Sequence, residues 1–253
     1  MSRPSISGFF VRTRFLAFLD GRPLDEKPVH WQWRDLWRLV ALYIGLQVIM
    51  TVLFAQLLYM VFDLEWPDIH RITYALALFL LVPLVRHHEF WPSASYLGTR
   101  LVDFRRNWKI GLLYGVALRL LPIVPVLIVV GTMYLIMGNM PYLPENSPVM
   151  GKTIFSFSWF LGALRGAIFA PIFEEYFFRG LLYPLLRLRY GVTWGIWLSS
   201  LFFGLMHGAN ILGFWAIFGG IGFALAYEHT GKLATPIIAH FFVNAVATAL
   251  SSF

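Results

Sequence analysis

The sequence contains no cysteine among its 253 residues. That absence excludes disulfides, thiolate metal sites, a cysteine nucleophile and a prenylated C-terminus, so any chemistry must use other side chains. Charge is scarce as well: Asp, Glu, Lys and Arg make up 13% of the chain, against 58% hydrophobic residues. With a mean hydropathy of +0.68 and apolar runs longer than a soluble core helix needs, the chain reads as a polytopic membrane protein. Low-complexity linkers and internal repeats are also lacking. No cleavable signal peptide is expected, because the first long apolar run begins only near Leu36 and has no small-residue cleavage site after a short core.

What is present is a series of apolar runs, and the expected fold class is all-α: a polytopic transmembrane bundle of seven helices, with eight as the alternative. The spans read as Leu36–Phe62, Ile69–Val85, Lys109–Met137, Phe155–Gly180, Val192–His207, Leu212–Glu228 and Leu233–Leu250. Several fall short of the ~20 residues a bilayer requires, so tilt or local thinning is expected there. The Phe218-Gly219-Gly220-Ile221-Gly222 run suits close helix packing. The domain reading is a basic cytoplasmic or interfacial segment over 1–35 and an integral membrane domain over 36–253.

The net charge of +7 does not call for nucleic acid, because the basic residues are distributed by loop. Arg3, Arg12, Arg14, Arg22, Lys27, Arg34 and Arg38 precede the first span, whereas Asp63, Glu65 and Asp68 with only Arg71 follow it. The positive-inside rule therefore puts the N-terminus in the cytoplasm. Arg86, Arg100, Arg105, Arg106 and Lys109, and later Arg187 and Arg189, mark further cytoplasmic loops, and seven spans leave the C-terminus outside. The apolar and basic stretch Phe9–Leu19 suits a helix lying at the cytoplasmic interface. The turn-rich loop Pro141–Pro148 separates a first half poor in intramembrane polar groups from a second half rich in them.

Those groups are Arg165, Glu174, Glu175, Arg179, His207, His240 and Asn244. An ionisable side chain at membrane depth costs several kcal/mol unless it meets a partner or a polar cavity, and so marks a functional site. At 100° per residue Glu175 and Arg179 share a helix face and can neutralise each other, whereas Glu174 points elsewhere and is free to meet water or substrate. His240 and Asn244, also four apart, share a face. If the chain turns near Tyr190, an antiparallel pair of helices brings Glu174 and His207 to similar depth; His240, seven residues past Leu233, reads as shallower. Together these groups suit amide hydrolysis without a covalent intermediate. Glu174, assisted by His207, acts as general base toward water, and His240 and Asn244 act as oxyanion donors. Arg165 is expected to snorkel to the outer interface and Arg119 to face the bundle or a cavity; either can help hold a substrate terminus. Phe202, Phe203, Phe241 and Phe242 read as packing groups or as walls of a lipid-like substrate groove.

Three ordered signatures carry a family resemblance: Glu-Glu-x-x-x-Arg at Glu174, Glu175 and Arg179, Phe-x-x-x-His at Phe203 and His207, and His-x-x-x-Asn at His240 and Asn244. Over roughly 155–250 the chain resembles the CPBP family, also called Abi, of CAAX-type prenyl endopeptidases and bacteriocin-processing or self-immunity membrane proteases. The resemblance implies an intramembrane endopeptidase of glutamate type. In it Glu174 and His207 activate water, His240 and Asn244 form the oxyanion hole, and Glu175 and Arg179 support them. The implied partners are the bilayer and a peptide or protein substrate, lipid-modified in the namesake case, and the implied place is a prokaryotic cytoplasmic membrane.

No cofactor is expected, and zinc held by the two histidines and the glutamate is the alternative. His-Glu-x-x-His is missing, as are Gly-x-Ser-Gly and Gly-x-Gly-Asp, the patterns expected of intramembrane serine and aspartyl proteases. A non-catalytic scaffold or a proton-coupled transporter is the reading from another class; Asn244 and the lack of repeats speak against it.

Overall fold

The computed structural model describes residues 31–62, 92–138 and 157–250, together with Val29, Trp66, Ile69, Ile72, Thr73, Tyr74, Leu76, Ala77, Leu80 and Leu81. The Phe9–Leu19 stretch, the Pro141–Pro148 loop and most of the expected Ile69–Val85 span lie outside the described residues. The rest is helical, with no strand among the described residues. Three stretches are long and apolar enough to cross a membrane, Trp33–Val61, Ala94–Ile136 and Ile211–Thr230, and Ala234–Leu250 is a shorter apolar helix. The expected count of seven or eight goes beyond these three.

Helix α1, Trp33–Phe62, begins where the Asp35 carboxylate accepts the Gln32 N–H at 2.9 Å, placing negative charge on otherwise unsatisfied N-terminal donors. Just before it, Trp31 donates Nε1–H to the Leu181 carbonyl at 2.9 Å and is 3% exposed, which anchors the start of α1 to the core. The short α2, Ala94–Leu97, ends at Gly98 in the left-handed region. Only glycine fits there, because a Cβ would collide with Lys232. Helix α3, Leu101–Leu120, and α4, Ile123–Met137, replace the single expected span Lys109–Met137. The helix begins eight residues earlier than the apolar run because its first two turns are polar, and it breaks before Pro122, whose ring clashes with the carbonyl four residues back.

The expected Phe155–Gly180 span also differs, since its helix does not stop at Gly180. It runs through α5, Phe157–Ala163, a π-helical segment π1, Leu164–Phe169, then α6, Ala170–Glu175, and a second π segment π2, Tyr176–Leu182, into α7, Tyr183–Met206. Each π segment ends two residues before a proline, Pro171 or Pro184. A proline withholds the N–H that the carbonyl four residues earlier would take and pushes that carbonyl aside, so a widened i→i+5 turn is the local solution. Helix α7 reverses at Gly191, where φ is 79° and ψ 174°. A Cβ on Gly195 would lie 3.1 Å from the Arg187 Cα, so the two arms pack directly against each other. The turn expected near Tyr190 is therefore present one residue later.

Helices α8, Ile211–Thr230, and α9, Ala234–Leu250, complete the bundle. Their connection docks on α2 through Leu233 N–H to the Leu97 carbonyl at 2.8 Å and Ala234 N–H to the Gly98 carbonyl at 3.2 Å. Lys232 Nζ lies 3.3 Å from Asp103 Oδ1 at the start of α3. Small residues set the helix separations, as expected where dispersion rather than hydrophobicity joins helices in lipid. A Cβ on Gly111 would come within 2.7 Å of the Ile238 Cβ, and one on Gly115 within 3.0 Å of the Ala239 carbonyl oxygen, so this Gly-x-x-x-Gly face brings α3 against α9. Gly220 meets Ser200 of α7 and Gly222 meets Leu118 of α3, which accounts for the glycine-rich run.

The two turns stand at different heights, and this places His240. Tyr183, eight residues before Gly191, donates its hydroxyl proton to Glu228 at 2.6 Å, and Arg187 Nε donates to the same Oε1 at 2.9 Å. Glu228 is only three residues before Gly231. The α7 arm thus projects roughly 8 Å past the α8–α9 turn at 1.5 Å per residue. Counted from Leu233, which packs at Gly180, His240 reaches the depth of Glu174 and Glu175; straight helices ending at one level make it too shallow.

Candidate active site

The two carboxylates sit on α6, between the π segments. They separate as helical phase predicts. Glu175 is fully buried and its Oε1 is 3.1 Å from Arg179 Nη1. Arg179 is equally buried, donates Nη2–H to the Gly220 carbonyl at 2.8 Å, and lies over the Phe203 ring at 4.7 Å, with Phe223 and Phe178 at 5.5 and 5.6 Å. This aromatic enclosure and the ion pair offset part of the cost of removing a guanidinium from water.

Glu174 retains 24% side-chain exposure and faces both histidines. Its Oε2 is 3.9 Å from His207 Nε2 and 3.8 Å from His240 Nε2. These separations are too long for direct hydrogen bonds and short enough for one bridging oxygen. The other ring nitrogen of each histidine is engaged. His207 Nδ1 lies 2.8 Å from the Phe203 carbonyl and donates to it, because that oxygen can only accept. His240 Nδ1 lies 2.8 Å from Glu175 Oε1 and donates to that carboxylate. Both Nε2 atoms are thereby aimed at Glu174. His240 is held flat against Phe223, with ring centres 4.4 Å apart and planes 18° apart, and edge-on to Phe203 at 5.8 Å.

Asn244 lies one turn beyond His240 on α9. Its Nδ2 donates to the Gly166 carbonyl of π1 at 2.8 Å. The carboxamide therefore joins α9 to the π segment through one N–H and has a second N–H to give. Among the aromatic residues read as packing groups or groove walls, Phe203 is core at 2% exposed, whereas Phe202 and Phe241 are 50% and 44% exposed on the outer surface.

Arg165, expected at the outer interface, is partly exposed on π1. Its Nε is buried without a hydrogen-bond partner, and its guanidinium lies 5.7 Å from the Tyr74 ring centre. Sequence reasoning also missed the Glu175–His240 contact, because it joins residues 65 positions apart. It missed the Gly220 carbonyl and Phe223 too, although the glycine-rich run pointed at that stretch of α8. Among the described residues no group of three His, Asp or Glu side chains is arranged to hold a metal ion.

No curated protein and no solved structure matches the chain. A family model does match, and its range contains Glu174, Glu175, Arg179, His207, His240 and Asn244. Over residues 156–246 the chain matches the family described as Type II CAAX prenyl endopeptidase Rce1-like, in agreement with the CPBP or Abi resemblance of its three signatures, and the class of activity this match supports is an intramembrane endopeptidase.

Proposed function

We propose that the protein hydrolyses a peptide bond of a membrane-associated or lipid-modified substrate by a glutamate-activated water, without a covalent intermediate and without a metal. The observation that carries this reading is the convergence of His207 Nε2 and His240 Nε2 on Glu174 Oε2 at 3.9 and 3.8 Å. A water between Glu174 and His207 gives one proton to the carboxylate and directs its oxygen at the scissile carbonyl carbon. Because Nδ1 of His207 is committed to the Phe203 carbonyl, the lone pair of Nε2 is available to orient that water.

His240 has the complementary task. With Nδ1–H given to the Glu175 carboxylate, a proton on Nε2 makes that atom a donor toward the oxyanion that forms on the carbonyl. The second N–H of Asn244 is the other donor. Collapse of the tetrahedral species passes the proton on Glu174 to the leaving amine, so one water is consumed and one carboxylic acid and one amine are formed. Glu175 and Arg179 hold His240 rather than touch the reacting atoms.

The test compares peptides released by cells carrying the wild-type protein with those from cells carrying Glu174→Gln. The reading expects peptides present only with the wild type that end at one shared type of cleavage site. Identical peptide sets at equal protein levels reject it.

A further inference from the structure

Helix α8 contributes no residue to the three signatures, yet it forms one wall of the site. Its Gly220 carbonyl accepts Arg179 Nη2–H at 2.8 Å, and Phe223, three residues on and so on the same face, lies against His240. The two rings are stacked, with centres 4.4 Å apart and planes 18° apart, at the close end of aromatic contacts. Phe223 is 2% exposed, and it also meets the Arg179 guanidinium at 5.5 Å and Phe203, edge-on at 6.2 Å.

The stack supplies what the hydrogen bonding of His240 leaves open. The bond from Nδ1–H to Glu175 Oε1 at 2.8 Å fixes one ring atom. The torsion that turns an imidazole about its Cβ–Cγ bond is broad and roughly two-fold, so no narrow rotamer well sets the ring plane. Glu174 Oε2, 3.8 Å from Nε2, is too far for a direct bond that would fix the second nitrogen. Rotation of the ring about the Nδ1 contact therefore swings Nε2 off the line to Glu174. The face of Phe223 and the edge of Phe203, 5.8 Å away, resist that rotation.

Phe223 has little room to withdraw. A Cβ on Gly220 would lie 2.9 Å from the Ser200 Cβ of α7, and one on Gly222 would collide with Leu118 of α3. Glycines beside the ring thus let α8 press between its neighbours. A leucine at 223 would fill much of the same volume, but it has no flat face to set against an imidazole.

Building on the protease reading, we propose that Phe223 is a positioning residue: its ring sets the plane of His240 and so aims Nε2 at the oxyanion. It touches no reacting atom, and its effect on the rate passes through His240.

The test uses full-length protein and a farnesylated peptide. Phe223→Leu should lower kcat by about 10–10²-fold, the cost of a misaimed donor, at unchanged KM. Phe223→Tyr, which keeps the flat face, should recover most of that loss. Equal rates in wild type and Phe223→Leu overturn the proposal, and so do equal losses in the leucine and tyrosine variants, which assign Phe223 to packing alone. The aim itself is read without cleavage, by NMR of ¹⁵N,¹³C-histidine-labelled protein, with His240 assigned through its loss in His240→Gln. Its Cε1–H should lie upfield, in the ring current of Phe223, and its Nε2 resonance should respond to Glu174→Gln. In Phe223→Leu both the upfield shift and that response should shrink. A wild-type His240 without the upfield shift overturns the proposal even where Phe223→Leu does not fold, and a response to Glu174→Gln that persists undiminished in Phe223→Leu overturns it as well. A protein that shows both NMR effects but never cuts the peptide fails the protease reading and not the positioning of His240.

Discussion

His240 donates Nδ1–H to Glu175 Oε1 at 2.8 Å while its Nε2 faces Glu174 Oε2 at 3.8 Å. One imidazole thus links the two adjacent carboxylates, and Arg179 closes the other side of Glu175 at 3.1 Å. The acidic pair is divided between a buried member that orients and a partly exposed member placed to meet water.

Removing the charge of Glu175 should have two effects. Glu175→Gln leaves the Arg179 guanidinium buried without its counterion, at a cost of about 3–5 kcal/mol, and it replaces the carboxylate that accepts His240 Nδ1–H with a carboxamide. Melting in detergent and single-turnover cleavage should therefore fall together. Glu175→Asp, which keeps the charge, should recover part of the rate; a variant with Gln that melts and cuts like the wild type shows that the contact is idle.

Asn244 separates a packing role from a chemical one. Loss of its hydrogen bond to the Gly166 carbonyl costs about 1 kcal/mol, whereas loss of an oxyanion donor lowers kcat by about 10²–10³. Asn244→Ala should show both, with KM little changed. A shift in melting without a fall in kcat assigns Asn244 to helix packing alone.

The seam between α3 and α9 should be intolerant of side chains. Gly115→Ala places a methyl 3.0 Å from the Ala239 carbonyl oxygen and the Phe242 Cβ, with an expected loss of about 1–3 kcal/mol. Because α9 also carries His240 and Asn244, the rate should drop with stability. Gly131→Ala, where a Cβ meets nothing within 4 Å, is the control and should leave both unchanged.

Much of the site was legible because it depends on local spacing. Four-residue intervals put Glu175 with Arg179 and His240 with Asn244 on common faces, and equal distances from the turn near Tyr190 matched Glu174 with His207. What escaped the sequence depends on how separate helices meet. The Glu175–His240 bond needs the unequal heights of the turns at Gly191 and Gly231. The pairing of α3 with α9 needs Gly111 and Gly115 to face a partner that no periodicity names.

Metal dependence distinguishes the glutamate route from its zinc alternative. Treatment with a strong chelator should leave the cleavage rate unchanged within error. Loss of activity on chelation, restored by zinc and by no other addition, assigns the two Nε2 atoms and Glu174 to a metal instead.

The most direct measurement is the single-turnover rate at which purified protein in liposomes cuts a farnesylated peptide, compared between wild type and Glu174→Gln. A lost general base predicts a fall of about 10²–10⁴, at unchanged melting temperature and with peptide binding retained. A Glu174→Gln protein that cuts at the wild-type rate contradicts the account.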